Sequence, residues 1–287
     1  MAPLTVIKCG GNRTVDAESV CADVAAQIRG GRRIVMVHGG SADIDGLADR
    51  LRVPRRRLTA PDGVSARYTD AATLEVVTLA LAGSVKPRLV GALLERGVRA
   101  VGLTGLDGGL LRARRKAVHR AVVDGRTVFV RDDHSGRIER VDTAVVTALL
   151  DAGLVPVVSP PAADQDGLPV NVDADRAAAA LAGALEAECL VLLTGAPGVL
   201  ADPRDEHSVL DRCVVPREGA PGPFALGGMA LKLVAAREAL LAGVGRVVVA
   251  DGRGPDAVAR ALDGWGTDVV LAAPQLAEPV GAPAGAA

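Results

Sequence analysis

The chain has 287 residues, a formal net charge of −1, and 49% hydrophobic but only 1% aromatic residues. The near-neutral charge and the scarcity of rings for base stacking argue against nucleic-acid binding, and the length suits about two lobes around an aliphatic core. Four scattered cysteines without a Cys-x-x-Cys pair indicate buried thiols, not a zinc site or a disulfide framework. With no basic-apolar leader and no long uninterrupted apolar run, we expect a cytoplasmic protein without a membrane segment.

Strand and helix signals alternate along most of the chain. In chain order they predict strand Leu4–Cys9, helix Ala17–Arg29, strand Arg33–His38, helix Ser41–Arg50, helix Asp70–Arg96, strand Val98–Leu103, strand Leu154–Ser159, helix Asp173–Leu185, strand Cys189–Thr194, helix Ala225–Ala242 and strand Arg246–Ala250. Ser41 and Asp70 are predicted N-caps, and Pro87 predicts a kink or break. The alternation predicts an α/β fold, a three-layer αβα sandwich with a mainly parallel central sheet.

The stretch Leu110–Glu139 interrupts this alternation. Two β-type runs, Ala117–Val123 and Thr127–Arg131, flank the turn dipeptide Asp124-Gly125, which predicts a basic β-hairpin flap. A loop rich in Pro, Gly and Asp predicts a boundary between an N-terminal lobe, 1–168, and a C-terminal lobe, 169–273. The remaining residues, 274–287, have the composition of a disordered tail.

Glycine pairs follow the first two predicted strands, as Gly10-Gly11 and Gly39-Gly40. Bare backbone N–H groups with a helix N-terminus behind them bind phosphate oxygens well. One such pair also fits a plain turn. Two pairs at consecutive strand ends lie where ligands bind in parallel sheets, which favours an anion site.

Two lysines and one aspartate are further candidates for a functional role. Lys8 ends an apolar strand, where an ammonium group is costly unless it meets an anion, although a snorkelling edge lysine is the alternative. Lys232 follows Gly227-Gly228 in the first turns of a predicted helix, where a solvated side chain is equally compatible. Asp173 is the better N-cap of its helix, which leaves Asp175 available for another role.

The four motifs in their order resemble the amino acid kinase family, and within it the N-acetylglutamate kinase branch, over about Leu4–Asp268. They are Lys8–Gly11, His38–Ser41, Asn171–Asp175 and Gly227–Lys232. This family transfers the γ-phosphoryl group of ATP to a carboxylate. The resemblance therefore implies ATP and Mg²⁺ as cofactors, with Mg²⁺ carried by ATP and no metal site on the protein, a carbamate kinase-like fold, and a homodimer.

The resemblance also implies a role for each motif. Lys8 and Lys232 would stabilise the transferring phosphoryl group, and Asp175 would orient both lysines. The amino-acid substrate would bind mainly in the N-terminal lobe, at Gly39, Gly40, Ser41 and Arg67, with Asn171 contributed by the C-terminal lobe. The nucleotide and its phosphates would bind mainly in the C-terminal lobe, at Gly10, Gly11, Thr194, Gly195, Gly198, Gly227, Gly228 and Met229.

Basic residues cluster around the predicted flap. Between Leu110 and Arg131 the chain has seven basic residues and one aspartate, and Arg55–Arg57 forms a second basic run. A solvated face is the simplest interpretation. The alternative is a docking surface for an acidic macromolecule, which charge would steer towards the site.

Further motifs resemble the carrier-protein-dependent aminoadipate kinases of bacterial lysine biosynthesis: His38–Ser41, Gly105–Gly108, Arg114–Lys116 and Pro160–Ala162. This resemblance implies a side-chain carboxylate of 2-aminoadipate or glutamate as the acceptor, linked to a small acidic amino-group carrier protein. The carrier would dock on Arg55, Arg56, Arg57, Arg112, Arg114, Arg115, Lys116 and Arg120.

Three other functions stay open at this point. They are an N-acetylglutamate kinase of arginine biosynthesis, a secondary-metabolite kinase acting on carrier-bound amino acids, and a non-catalytic sensor on the same fold. Ser41 stands where N-acetylglutamate kinases usually have a third glycine, and the loop Thr194–Gly198 lacks their usual aspartate. The presence of Lys8 and Asp175 favours catalysis over sensing.

Overall fold

The structure is a computed structural model that describes residues 2–11, 14–59, 65–115, 118–123, 126–224 and 227–273. The predicted turn Asp124-Gly125, Lys116 and the predicted tail over 274–287 lie outside the described residues.

Strands and helices alternate as predicted, with several additional short elements. The first part contains β1 (Leu4–Cys9), α1 (Ala17–Arg29), β2 (Arg33–His38), α2 (Ser41–Leu51), β3 (Arg57–Thr59), β4 (Ser65–Arg67), α3 (Ala71–Ala80), a π-helical turn (Leu81–Val85), α4 (Lys86–Leu94) and β5 (Ala100–Gly105). The middle contains a 3-10 turn (Asp107–Gly109), β6 (Leu111–Arg115), β7 (His119–Val123), β8 (Arg126–Val130), β9 (Gly136–Val141), α5 (Ala144–Asp151), β10 (Val155–Ala163) and β11 (Pro169–Val170). The last part contains α6 (Ala174–Ala184), β12 (Cys189–Thr194), β13 (Arg212–Val215), α7 (Gly228–Leu241), β14 (Arg246–Asp251), α8 (Ala257–Leu262) and β15 (Thr267–Leu271).

One large sheet of 11 strands forms the centre of the fold, in the order β13-β15-β14-β12-β1-β2-β10-β6-β9, with β5 and β11 also paired to β10. The pairs β1–β2, β1–β12, β2–β10, β5–β10 and β12–β14 are parallel. Antiparallel pairs occur at β6–β9, β10–β11 and β14–β15. The mainly parallel sheet predicted from the sequence is confirmed.

Alternating side chains of the central strands enter two separate cores. On β1, Val6 packs with residues of α5, α6 and α7, whereas Ile7 packs with residues of α1 to α4 and α8. Both are fully buried, and each such side chain stabilises the fold by roughly 1.5–3 kcal/mol. Helices therefore cover both faces, and the predicted three-layer αβα sandwich is confirmed.

A second sheet of 4 strands lies beside the first, in the order β4-β3-β7-β8. Its β7–β8 pair is the predicted antiparallel hairpin. The stretch Leu110–Glu139 is nevertheless more than one flap, because β6 pairs with β9 and both extend the large sheet. Leu111 and Ala113 are buried on β6, so core packing holds this part of the stretch in the main sheet.

Helix starts follow the side-chain capping rule in two of three predicted cases. The carboxylates of Asp70 and Asp173 each accept a hydrogen bond from a backbone N–H of the first helical turn. The prediction that Ser41 is an N-cap is wrong, because Gly40 occupies that position. Ser41 is helical, and its hydroxyl donates to the carbonyl of Gly11 over 2.9 Å.

The long helix over 71–94 continues through Pro87 with a π-helical turn ahead of it. Pro87 lies in the first turn of α4, where the missing N–H is tolerated. By length, 24 residues, and mean hydropathy, 1.4, this helix resembles a membrane span. It packs against α1, α2, β5 and β10 inside the fold, which is the position of a core helix.

The large sheet crosses the predicted lobe boundary, since β1 is hydrogen-bonded to both β2 and β12. The division of the chain at residue 168 stays a prediction.

Candidate active site

A cleft of about 680 Å³ opens at the carboxyl ends of β1, β2 and β12. Many of the residues singled out in the sequence line it: Lys8, Gly10, Gly11, Gly39, Gly40, Ser41, Arg67, Asn171, Asp175, Thr194, Gly228, Met229 and Lys232. Gly195, Gly198 and Gly227 are not among the lining residues. The convergence follows from the parallel pairing, which brings the ends of neighbouring strands to one edge of the sheet.

The two lysines meet one carboxylate at the centre of this cleft. The Lys8 ammonium nitrogen lies 2.9 Å from Asp175 Oδ1. Lys232 Nζ donates to Oδ1 and Oδ2 of the same carboxylate, over 3.1 and 3.0 Å. The three side chains are between 6% and 11% exposed, so Lys232 is not the solvated helix lysine that the sequence also allowed.

Local structure explains how residues so distant in sequence meet. Lys8 is the penultimate residue of β1, and Asp175 lies in the first turn of α6, directly after its N-cap Asp173 and Ala174. Helix α7 packs along α6 and brings Lys232 to the same point. The helix–helix contact thus sets the distance between the second ammonium group and the strand end.

Electrostatics keeps this cluster charged. Burial disfavours ionised Asp175, but the ammonium groups of Lys8 and Lys232 lower its pKa to about 2. Burial likewise disfavours charged Lys8, yet attraction by Asp175 raises the pKa of Lys8 above its usual value. Burial and repulsion by Lys8 lower the pKa of Lys232. Two ammonium groups therefore share the firmly ionised carboxylate of Asp175, while burial and repulsion by Asp175 raise the pKa of the neighbouring Asp173.

Both glycine motifs place backbone against backbone. A Cβ atom on Gly11 would lie 2.3 Å from the backbone nitrogen of Gly40, so the two loops touch without room for a side chain. A Cβ on Gly40 would lie 2.7 Å from Leu81 Cδ2, in the π-helical turn. Helix α2 begins at this contact without a side-chain cap. Gly40 and Ser41 at this helix start line the cleft, whereas the N–H of Ala42 is already bonded to the Gly11 carbonyl over 3.0 Å.

Helix α7 begins in the same manner. Its N-cap Gly227 has φ +53°, a left-handed conformation that favours glycine, and no side chain caps the helix. Gly228 and Met229 then line the cleft ahead of Lys232. The start of α7, together with the two lysines, fits the phosphates of a nucleotide.

The loop Thr194–Gly198 reaches the cleft at its first residue. Thr194 lines the cleft, but Gly198 is buried against β15, where a Cβ would lie 2.6 Å from Thr267 Oγ1. Thr267 Oγ1 accepts a hydrogen bond from the next backbone N–H, that of Val199. The glycine at 198 is thus explained by packing.

Two of the residues implied for the amino-acid substrate, Arg67 and Asn171, have side chains that are held by neighbouring residues. Arg67 pairs with Asp45 over 2.7 Å, and its side chain is 15% exposed. Asn171 Nδ2 donates to Thr69 Oγ1 over 3.0 Å. Both side chains are therefore held by neighbours and line the cleft.

Sequence reasoning missed Asp133, which anchors one side of the cleft. Its carboxylate accepts hydrogen bonds from the backbone N–H of Thr69 over 3.0 Å and from the Ser135 hydroxyl over 2.5 Å. It is 2% exposed and lines the cleft. Buried carboxylates are rare unless they are bonded, but the chain around Asp133 has no local pattern that marks its long-range partner Thr69.

His38, in the second glycine motif, has a structural role. Burial lowers the pKa of His38 to about 4, so its ring is neutral at pH 7. Its Nδ1 lies 3.0 Å from the Gly39 carbonyl oxygen and is the protonated nitrogen, because a carbonyl only accepts.

Most arginines implied for docking have partners within the protein. Arg114 pairs with Glu139 over 2.7 Å, and Arg55 pairs with Asp49 over 3.1 Å. Arg56 pairs with Asp70. Of the remaining implied residues, the Arg120 side chain lies outside the described part of the structure.

Two further arginines of this set bond to backbone carbonyl groups. Arg112 Nη1 donates to the Asp164 carbonyl over 3.4 Å, and Arg115 Nε donates to the Asp133 carbonyl over 3.1 Å. Arg57 lines the cleft itself. Arg115 is therefore linked through Asp133 to the cleft.

Within the described residues, no group of three or more His, Cys, Asp or Glu side chains is placed to hold a metal ion.

Known proteins resemble the chain over nearly its whole length. Residues 3–251 match the amino acid kinase family. A LysW-aminoadipate kinase of Deinococcus radiodurans is 41% identical over 266 residues, which cover 93% of this chain and 91% of the relative. An acetylglutamate kinase of Methanopyrus kandleri is 39% identical over 272 residues, which cover 93% of this chain and all of the relative (100%).

The fold also matches a solved structure. The carbamate kinase of Giardia superposes with a TM-score of 0.66 at 17% identity, covering 94% of this chain and 99% of that one. At this identity the likeness concerns the fold alone, and it confirms the predicted carbamate kinase-like architecture. Together with the match over residues 3–251, these similarities establish that the chain belongs to the amino acid kinase family.

Proposed function

We propose that the protein transfers the γ-phosphoryl group of ATP to the side-chain carboxylate of 2-aminoadipate, or glutamate, linked to an amino-group carrier protein. The product is an acyl phosphate. The main structural support is the convergence of Lys8 and Lys232 on Asp175 in a cleft whose helix starts offer backbone donors.

The chemistry requires charge stabilisation more than proton transfer. A side-chain carboxylate has a pKa near 4.3 and is ionised at pH 7, so no general base is needed. The obstacle is repulsion between the attacking carboxylate and the phosphates, which is roughly 4 kcal/mol for two unit charges about 4 Å apart at an effective dielectric of 20. Lys8 and Lys232 offset a repulsion of this size, and Asp175 holds their ammonium groups in place.

The remaining residues divide between the two substrates. Gly10, Gly11, Gly228 and Met229 bind the phosphates and the nucleotide, with Thr194 beside them; Gly195, Gly198 and Gly227 act by shaping this side. Gly39, Gly40, Ser41, Arg67 and Asn171 hold the amino acid. Mg²⁺ arrives with ATP and neutralises phosphate charge when bound.

The carrier-linked substrate is supported by the relatives, two of which are LysW-aminoadipate kinases at 41% identity. The basic surface around the small sheet, which consists of Arg55–Arg57 and, on β6 of the large sheet, Arg112, Arg114 and Arg115, suits an acidic carrier. We further propose a homodimer in the cytoplasm, with the substrate and the carrier bound mainly by residues 1–168 and the nucleotide bound mainly by residues 169–273.

A second candidate is an N-acetylglutamate kinase. The acetylglutamate kinase of Methanopyrus kandleri is only slightly less similar, at 39% identity over 93% of this chain. The two candidates share the phosphoryl-transfer step and differ in whether a protein carries the acid.

Trapping the acyl phosphate with hydroxylamine separates the candidates. The protein is supplied with ATP, Mg²⁺ and, in parallel, LysW-linked aminoadipate, free N-acetylaminoadipate or free N-acetylglutamate. We expect hydroxamate from the carrier-linked acid with a kcat/KM at least about tenfold above that of either free acid. A preference for N-acetylglutamate would establish the second candidate, and no hydroxamate from any acid would refute both.

A further inference from the structure

Two polar contacts join helices α6 and α7. The first is the contact between Asp175 and Lys232 in the cleft. The second is a bidentate ion pair, in which Arg176 Nε donates to Glu238 Oε2 over 2.9 Å and Arg176 Nη2 donates to Glu238 Oε1. The phosphoryl-transfer step proposed above uses neither residue of the second contact.

Small side chains form much of the remaining contact between the two helices. Ala235 and Ala239 follow Lys232 at spacings of three and four residues, so they lie on the same face of α7, and both are fully buried. At the far ends of the helices, a Cβ on Gly183 would lie 2.5 Å from Ala242 Cβ. Side chains of this size form shallow ridges, which set the distance between two helices but resist sliding only weakly.

The pair of Arg176 and Glu238 supplies the constraint that such packing lacks. Glu238 lies six residues after Lys232, which is about 9 Å along the helix axis. Arg176 directly follows Asp175, and its backbone N–H donates to the carboxylate of the N-cap Asp173 over 3.0 Å. A bidentate pair requires a fixed orientation of both planar groups. The two contacts together therefore define the axial position and the rotation of α7 on α6.

The exposure of the pair indicates which of its effects is larger. The side chains of Arg176 and Glu238 are 28% and 31% exposed. Ion pairs that solvent reaches stabilise a fold only modestly. Displacement of a catalytic group by about 1 Å, in contrast, lowers a reaction rate by about a hundredfold. The position that the pair gives to α7 therefore matters more than its contribution to the free energy of unfolding.

We infer that Arg176 and Glu238 are positioning residues, which fix α7 on α6 and thereby hold the Lys232 ammonium group at the transferring phosphoryl. The inference rests on the proposed function, because it assigns the pair to the step in which Lys232 acts. Both residues act through Lys232 and not on the reacting atoms.

The test compares Glu238→Ala, Arg176→Lys and the double variant in the hydroxamate assay with LysW-linked aminoadipate. Arg176 lines the cleft, and a lysine there keeps the positive charge but loses the bidentate geometry. We expect Glu238→Ala to lower kcat about tenfold and Arg176→Lys at least about threefold, with each KM changed less than about threefold. The double variant is expected to match Glu238→Ala, because the pair is already lost there.

The chain offers a matched control in a second bidentate pair. Arg253 Nη1 donates to Glu206 Oε1 over 2.7 Å, and Arg253 Nη2 donates to Glu206 Oε2 over 3.0 Å. Neither residue lines the cleft, so Glu206→Ala is expected to keep kcat. Titration with ATP should give the same binding stoichiometry for every variant, which establishes that a lower kcat does not reflect unfolded protein.

Four outcomes would overturn the inference. Unchanged kcat in Glu238→Ala would refute the positioning role and leave the proposed function intact. A rise in KM with unchanged kcat in Arg176→Lys would show that Arg176 binds a substrate instead. An equal loss of kcat in Glu206→Ala would assign the effect to the loss of any such pair. Absence of hydroxamate with the unaltered protein would refute the proposed function together with the inference.

Discussion

The cleft and the basic surface around the small sheet both bring positive charge together, but they do so in opposite ways. In the cleft, Lys8 and Lys232 are buried around one carboxylate. On the surface, Arg114 is 75% exposed and pairs with Glu139, which is 47% exposed. Buried pairs depend strongly on each partner, whereas exposed pairs contribute between about 0 and 1 kcal/mol.

The difference also shows what a count of charges in a sequence can and cannot indicate. The stretch Leu110–Arg131 contains seven basic residues and one acidic residue. The carboxylates that neutralise the basic surface come from other parts of the chain: Glu139 pairs with Arg114, Asp49 with Arg55, and Asp70 with Arg56. A local excess of charge therefore overstates the charge available to a partner.

The largest effect is expected in the cleft, from Lys8→Ala. Loss of one positive group at the transferring phosphoryl lowers kcat at least about a hundredfold. The comparison variant is Lys86→Met, because Lys86 is also a buried lysine, 6% exposed, but does not line the cleft. Steady-state kinetics measures kcat of both variants. An equal loss of kcat in the two would show that removing any buried lysine lowers kcat, which would contradict a specific role of Lys8.

Gly11→Ala is expected to disturb the contact between the two glycine loops. The new Cβ would lie 2.3 Å from Gly40 N, and relieving this contact costs about 3 kcal/mol of unfolding free energy. Gly46→Ala in α2 is the control, since no atom lies within 4 Å of its Cβ position, and this change is expected to be neutral or stabilising. Urea unfolding measures both, and equal stability of the two variants would contradict the tight contact.

Asp175→Asn tests the charge state of the cleft through pH. The folded pKa of Asp175 is about 2, against roughly 3.9 in an unfolded chain. Its charge therefore stabilises the fold above about pH 4, by about 2 kcal/mol, and this contribution is lost as pH falls towards 2. The stability gap between the unaltered protein and the variant should narrow from pH 7 to pH 3 in urea unfolding.

A surface aspartate gives the baseline for this experiment. Asp263 is exposed, and Asp263→Asn is expected to change stability by less than about 0.5 kcal/mol at both pH values. If the difference in unfolding free energy between the unaltered protein and Asp175→Asn does not depend on pH, then Asp175 is not held ionised by the lysines.

The smallest effect distinguishes two neighbouring arginines on the basic surface. Arg115 bonds to the Asp133 carbonyl at the cleft, so Arg115→Ala is expected to raise KM for the acid substrate roughly fivefold, the equivalent of about 1 kcal/mol. Arg114→Ala breaks only an exposed pair and should leave KM for a free acid unchanged. The reverse order of effects would refute the link through Asp133.

Much of the fold was predictable from the sequence because its central strands are buried on both faces. Such strands read as continuous apolar runs, and β1, β2 and β12 were predicted with their observed bounds. The short strands β3, β4, β6, β9, β11, β13 and β15 were missed. Each has few residues, so its strand conformation depends on pairing with a neighbouring strand and not on its own sequence pattern.

The same distinction applies to the site. Lys8, the glycine pairs and Asp175 end strands or begin helices, so the topology alone brings them to one edge of the sheet. Asp133 was missed because its place depends on a hydrogen bond to Thr69, 64 residues away. Gly198 was assigned to the nucleotide through the motif around it, although contact with Thr267 explains the glycine.

The most direct test of the central claim is single-turnover formation of acyl phosphate by Lys232→Ala, with ATP affinity measured on the same preparation. We predict that the rate constant falls at least about a hundredfold while the Kd for ATP changes by less than about tenfold, since the ammonium group acts mainly on the transferring phosphoryl. A variant that forms acyl phosphate at the full rate would contradict the role of the two lysines held by Asp175.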